Sequence, residues 1–83
     1  MSITVRYFAA LREALGERET LDWQPGMSLA SLRDALRARG EPHASALSRG
    51  RAVRCALNQA MAAESALVPD GAEVAFFPPV TGG

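Results

Sequence analysis

The residues best placed to do chemistry stand at the end of the sequence, in the run Phe76-Phe77-Pro78-Pro79-Val80-Thr81-Gly82-Gly83. A carboxylate on Gly83 has no side chain beside it, and Gly82 adds none, so the tip is thin enough for a narrow channel in another protein. Pro78 and Pro79 lack backbone donors, cannot prolong a sheet ladder, and favour an extended path. From Pro78 onward six residues reach roughly 20 Å at about 3.3 Å each. The run therefore reads as a reactive handle on a stalk. The plainer alternative is a frayed terminus. Against it, the tail follows a strong apolar strand with no polar linker, and it closes on Gly-Gly rather than on charged, solvated residues.

The remaining reactive types are few. Cys55 sits on the inward parity of a strand, which makes it a core residue rather than a sulfur relay. His43 stands alone in a loop, and no second His or Cys stands at metal-ligand spacing, so a surface role and no metal site are expected. Glu13 and Glu17 lie four apart on a solvated helix edge, with no pocket to make them an acid–base pair. Trp23, beside Pro25-Gly26, reads as packing. Parity singles out one further set. Val74 and Phe76 share one face of the last strand, Ala75 and Phe77 the other, and a packed helix covers only one face. Phe77 then lies on the open face. Phe8, of opposite parity to Ile3 and Val5, joins it, as does Met61 after the Asn58-Gln59 turn. An apolar patch of Phe8, Met61 and Phe77 beside a reactive tail reads as a docking surface. The alternative is a scatter of exposed hydrophobes with no role.

These groups must be positioned by a small fold. Ile3, Val5 and Tyr7 alternate with polar neighbours, which gives a strand over 2–7. Phe8, Leu11 and Leu15 have helical spacing, and Gly16 is a good stop. A short strand over 19–23 precedes the Pro25-Gly26 turn. In the main helix, Ser28 is the N-cap, Met27 staples onto Leu32, and Leu29, Leu32 and Leu36 form the apolar stripe. Arg33, Asp34, Arg37 and Arg39 form its wet side, and Gly40 ends it near residue 39. Residues 44–47 form a helical turn, while the 41–51 segment has no assigned role. Val53, Cys55 and Leu57 point inward from a third strand. A tight turn at Asn58-Gln59 leads to a return strand over 60–62. One helical turn over 65–68, the turn Pro69-Asp70-Gly71 and a last strand over 73–77 complete the order. Leu29, Leu32, Leu36, Val53, Cys55, Leu57, Val74 and Ile3 are expected to be buried. The fold class is α+β, a mixed sheet of four or five strands with one main helix across it.

Composition narrows the class of function. Eighty-three residues make one domain, 1–83, with 78–83 as an extended tail. Apolar content of 48% against 22% charged argues for a folded globule. The formal net charge is zero, with all nine basic residues arginine, so no basic stripe for nucleic acid is expected. Without lysine the chain has no ε-amine and cannot be its own isopeptide acceptor. No run is long enough to span a membrane, and Met1-Ser2-Ile3-Thr4 opens straight into a strand rather than a signal peptide. A single cysteine fits a reducing cytoplasm, the expected location.

The order of elements and three stretches resemble the ubiquitin-like sulfur carriers, and among them the small-subunit family of molybdopterin synthase. The stretches are Tyr7-Phe8-Ala9-Ala10-Leu11-Arg12-Glu13, Ala56-Leu57-Asn58-Gln59, and the run from Asp70 to Gly83. The last, ending in Phe-Phe-Pro-Pro-Val-Thr-Gly-Gly, is the specific one. The resemblance implies a β-grasp fold whose first and last strands pair at the sheet centre. It implies that the Gly83 carboxylate is adenylated by an ATP-using enzyme similar to ubiquitin-activating enzymes, with no cofactor held permanently. A sulfur donor enzyme then makes the thiocarboxylate. The tail, Pro78, Pro79, Val80, Thr81 and Gly82, enters the large synthase subunit, in a heterotetramer of two small and two large subunits. There sulfur passes to cyclic pyranopterin monophosphate to build the dithiolene of molybdopterin. The catalytic pocket would lie on the large subunit, so the chain is not an enzyme by itself. Other readings are a sulfur carrier for thiamine synthesis, a modifier conjugated to lysines, and an interaction domain with an inert tail.

Overall fold

Alternation builds the centre of the sheet. In β1 (Ser2–Tyr7), Ile3, Val5 and Tyr7 are buried, while Thr4 and Arg6 face the other way. In β5 (Glu73–Phe77), Val74 and Phe76 are buried in the same manner. The computed structural model describes residues 1–79, and in it these strands lie side by side and parallel, Val5 opposite Val74 and Tyr7 opposite Phe76. β2 (Arg18–Asp22) pairs antiparallel with β1. β3 (Arg54–Leu57) pairs antiparallel with β5, and β4 (Ala60–Ala62) with β3. The strand order is β2-β1-β5-β3-β4, the expected mixed sheet.

A parallel central pair needs a long crossover, and the helices lie within it. α1 (Ala9–Leu15) buries Leu11. α2 (Leu29–Arg37) starts at Ser28, whose hydroxyl accepts from the Ser31 N–H at 3.1 Å while the Ser31 hydroxyl accepts from the Ser28 N–H at 2.9 Å. This reciprocal cap fixes the first turn. Leu29, Leu32 and Leu36 are buried, as the stripe required. The helix ends two residues before the expected 39, where Arg39 and Gly40 turn back to the Leu36 and Arg37 carbonyls and Gly40 adopts φ 92°. All three helices share the buried side of the sheet, leaving the other face open.

The structure corrects several expectations. Arg33 is not on the wet side: it is 3% exposed. Its guanidinium donates to the carbonyls of Leu47, Ser48 and Arg51 and pairs with Glu64 at 2.8 Å. It thereby pins the 47–51 loop, part of the segment with no assigned role. Residues 65–68 form no helical turn. The segment runs past the start of α2, with Leu67 bridged to Ser28 and the Ala66 carbonyl accepting from the Leu29 N–H. Val53 and Leu57 are half-buried against the core rather than inside it. The Asn58-Gln59 turn is as expected, with φ of 50° and 71°, the left-handed pair that suits a two-residue hairpin. Asn58 also accepts from the Glu73 N–H through Oδ1 at 2.9 Å, tying the hairpin to the start of β5.

His43 is not a surface residue either. It opens α3 (His43–Ala46), its side chain is 12% exposed, and it packs edge-on against Tyr7. Its Nε2 lies 3.2 Å from Glu19, which also accepts from the Tyr7 hydroxyl at 2.8 Å and from Arg39 at 2.6 Å. Burial alone would raise the Glu19 carboxyl, but the hydrogen bonds from Arg39, Tyr7 and His43 outweigh it and hold it below the ordinary range. Burial, then the bond to Glu19, pushes the Tyr7 phenol well above its usual range. A carboxyl held down in the folded state contributes full stability above its unfolded range and loses it as pH falls through the folded range. Glu19→Gln should therefore lower the urea midpoint at neutral pH and flatten its fall on acidification. An unchanged acid limb would show that Glu19 is not linked to folding.

Candidate functional site

The open face of the sheet is built from the strand residues that the core does not use. Register places Ala75 of β5 opposite Ala56 of β3 on one side and Arg6 of β1 on the other. Ala56 in turn faces Met61 of β4, and Phe77 faces Arg54. Two neighbouring alanines make a low floor. Larger side chains stand around it, and a hollow of about 480 Å³ results, walled by Phe8, Met61, Phe77 and Pro78. Met61 is 62% exposed and Phe8 36%, which for large apolar groups outside the core is an open apolar surface.

The three aromatic and methionine residues expected to form a patch are thus brought to one hollow. Phe8 reaches it because it is the N-cap of α1, in extended backbone directly after β1, with its N–H donating to the Phe76 carbonyl at 3.2 Å. Phe77 is the last residue of β5. Pro78 and Pro79 follow it outside the ladder, half-buried. The tail therefore departs from the wall of the hollow. Val80, Thr81, Gly82 and Gly83 lie outside the described residues.

Sequence reasoning missed Arg6, Ala56, Ala75 and Glu73 as part of this site. Arg6 pairs with Glu73 at 3.1 Å, and its guanidinium carbon lies 5.1 Å from the centre of the Phe8 ring. A cation over an aromatic face is worth about 0.5–1 kcal/mol at an exposed position, so the pair orients Phe8 more than it stabilises the fold. The parity of Arg6 matches that of Phe8, and this was the signal that could have found it.

Away from this face the structure gathers little that could react. Cys55 is buried, burial pushes its thiol up, and its Sγ lies 3.4 Å from the Ala62 carbonyl. Both features suit a packed thiol, not a nucleophile. Trp23 donates to the Val68 carbonyl at 2.6 Å and packs against the core, as expected. Among the described residues no three His, Cys, Asp or Glu side chains stand together as a metal site would require. None of their helices is long and apolar enough to cross a membrane. A second hollow, of about 460 Å³, lies between β2 and α2, lined by Leu21, Met27 and Leu36. It shares no lining residue with the hollow walled by Phe8, Met61 and Phe77.

A central parallel β1–β5 pair, helices across one face and a chain that leaves the sheet through a proline pair define a ubiquitin-like β-grasp protein. Residues 5–83 match the model of the ThiS family, and the chain belongs to that family and groups with proteins named molybdopterin synthase sulfur carrier subunit. The relative of that name from Escherichia coli K12 is 38% identical over 98% of this chain and 99% of its own length. The one from Haemophilus influenzae is 35% identical over 98% and 99%. Among solved structures, SAMP1 from Haloferax volcanii superposes with a TM-score of 0.76 at 26% identity, covering all of both chains. A chain from the complex of subunits 1 and 2 of the molybdopterin-converting factor of Helicobacter pylori does so at 0.66 and 26%, again over all of both chains.

Proposed function

We propose that this chain is the sulfur carrier subunit of molybdopterin synthase, with the carboxylate of Gly83 as the carrier group and the Phe8–Met61–Phe77 hollow as the dock for the large subunit. The observation that carries the reading is continuity. β5, a central strand, forms the wall of a hollow that Pro78 also lines, and the chain runs on in sequence through Pro79 to Gly82-Gly83. A partner seated on the hollow is therefore within reach of the tail. The names of the relatives and the solved two-subunit complex of a similar chain support the same partner.

The chemistry follows from the weakness of a carboxylate as an electrophile. Its carbonyl carbon is electron-rich and oxide is a hopeless leaving group. Attack of a carboxylate oxygen on the α-phosphorus of ATP expels pyrophosphate and installs AMP as a leaving group, so one hard step becomes two easier ones. A sulfur nucleophile supplied by a donor enzyme then displaces AMP and leaves a thiocarboxylate. That group is a good nucleophile, and nothing on Gly83 shields it. Two such transfers to cyclic pyranopterin monophosphate would build the dithiolene in a pocket on the large subunit. The test is intact mass after incubation with ATP, an activating enzyme and a sulfur source. Replacement of one oxygen by sulfur at the terminus is expected; no change, with an activating enzyme shown to be competent on another carrier, overturns the reading.

Docking makes its own prediction. Phe77→Ala should weaken binding to the large subunit about thirtyfold, because burying one phenylalanine at an interface is worth about 2 kcal/mol. The fold should stay nearly intact, since Phe77 stands outside the buried core. Unchanged binding by calorimetry together with a large fall in melting temperature would make Phe77 a core residue. The likeness to SAMP1 raises a second reading, a modifier joined to lysines of other proteins. Isopeptide-linked conjugates through Gly83, in place of sulfur transfer, would decide for it.

A further inference from the structure

We propose that Arg6, Arg18 and Arg54 form a cationic rim around the alanine floor and select a large subunit whose docking surface is acidic. The proposal rests on the docking reading above and names the chemistry of its partner. The register carries it. One row crosses all five strands as Arg18, Arg6, Ala75, Ala56 and Met61, and Arg54 stands opposite Phe77 in the next row. The three arginines share the parity of the open face.

Their charge is poorly answered within the chain. The helix side of the molecule, Arg51 apart, pairs its cations closely: Arg33 with Glu64, Arg39 with Glu19, Arg49 with Asp34 and Glu64. On the open face Glu73 answers Arg6 alone, at 3.1 Å. Arg18 has only Glu17, at 3.7 Å, and its side chain is 63% exposed. Arg54 is exposed and has no ion-pair partner among the described residues. Asp22 has the same parity but pairs with Ser2, at the far end of the β1–β2 ladder. A chain of zero net charge thus carries a local positive excess around its apolar hollow.

This arrangement is unfavourable in the free chain. Arg6 and Arg18 are directly opposite cross-strand partners, and like charges so placed destabilise a sheet. The Arg6 Nε is shut off from solvent and has no acceptor. A partner that covered the hollow with apolar groups alone would also strip water from these guanidinium groups without return. A partner bearing carboxylates around an apolar centre removes both costs, since the guanidinium fork takes carboxylates bidentately. Charge then acts on choice of partner and on encounter rate, while the apolar wall holds the complex.

The test is association of the full chain with the large synthase subunit of the same organism, followed by stopped flow at low and high salt. The variant is the charge reversal Arg18→Glu with Arg54→Glu, both exposed, with melting temperature as the check on folding. It leaves the Arg6–Glu73 pair intact. Expected are a wild-type on-rate that falls steeply with salt, and a variant about tenfold slower at low salt but close to wild type at high salt. An on-rate for the variant equal to or above that of wild type at low salt overturns the proposal. Phe77→Ala in the same assay judges the docking reading separately. If Phe77→Ala binds weakly and the charge-reversed chain binds as wild type, docking stands and selection by charge fails. If Phe77→Ala binds as wild type, the docking reading itself is lost.

Discussion

Deleting Gly83 should abolish sulfur charging and molybdopterin formation while leaving the fold and its docking intact. The deletion moves the terminal carboxylate back by one residue, about 3.5 Å. Positioning of a reacting group tolerates much less, since a displacement near 1 Å can cost about a hundredfold in rate. The loss should therefore be close to complete, for the activating enzyme and for the synthase alike. The core and the hollow are built from residues that precede the tip: β5 ends at Phe77, and the hollow is walled by Phe8, Met61, Phe77 and Pro78. The truncated chain should melt as wild type and bind the large subunit with wild-type affinity. Adding one residue after Gly83 should fail in the same way. Intact mass reads the charging step, and product formation with the large subunit and precursor reads the transfer. Normal turnover of the deletion would remove Gly83 from the mechanism and with it the proposed function.

The part of this site that was legible in the sequence was legible because it is local. Period-two alternation in 2–7 and 73–77, with one helix to cover one face, is enough to send Phe77 and Phe8 to the open side. The Ser28 cap, the leucine stripe and the Asn58-Gln59 turn are likewise each written within a few residues. The parallel pairing of β1 with β5 is different: it joins strands from the two ends of the chain, and only the resemblance to a known family supplied it. Arg6 does not stand out in the sequence because an arginine in a strand reads as solvent-facing polarity. Its importance comes from Arg18, Glu73 and Phe8, which register and the start of α1 bring beside it. The burial of His43 is illegible in the sequence for a related cause. Its partners, Tyr7 and Glu19, lie on two strands far from it in sequence.

Arg33 is the sharpest of these cases, and it supports the largest expected effect on stability. The helical pattern sets it next to Leu32 on a charged edge, where a guanidinium would ordinarily be wet. The acceptors that bury it are backbone carbonyls 14 to 18 residues later, which leave no mark on residue type. Nε donates to Leu47 at 2.8 Å, and Nη2 to Ser48 at 2.6 Å and Arg51 at 3.2 Å, while Nη1 holds Glu64. Arg33→Met keeps much of the apolar stem and removes every donor. The carbonyls of Leu47 and Arg51 then lose their partner, that of Ser48 keeps only the Arg51 N–H, and Glu64 retains only Arg49. Removing one member of such a buried network should cost about 3 kcal/mol. For a domain of this size each kcal/mol lowers the melting temperature by about 4–8 °C, so a fall of about 12–24 °C is expected. Arg33→Lys should recover only part of it, because one ammonium cannot span acceptors that a planar fork reaches in several directions. The hollow lies across the sheet from this network. At a temperature where the Met variant is still folded, it should be charged with sulfur at the normal rate. A methionine variant that melts within about 2 °C of wild type, a shift of well under 1 kcal/mol, would mean that water serves these carbonyls as well as the guanidinium does.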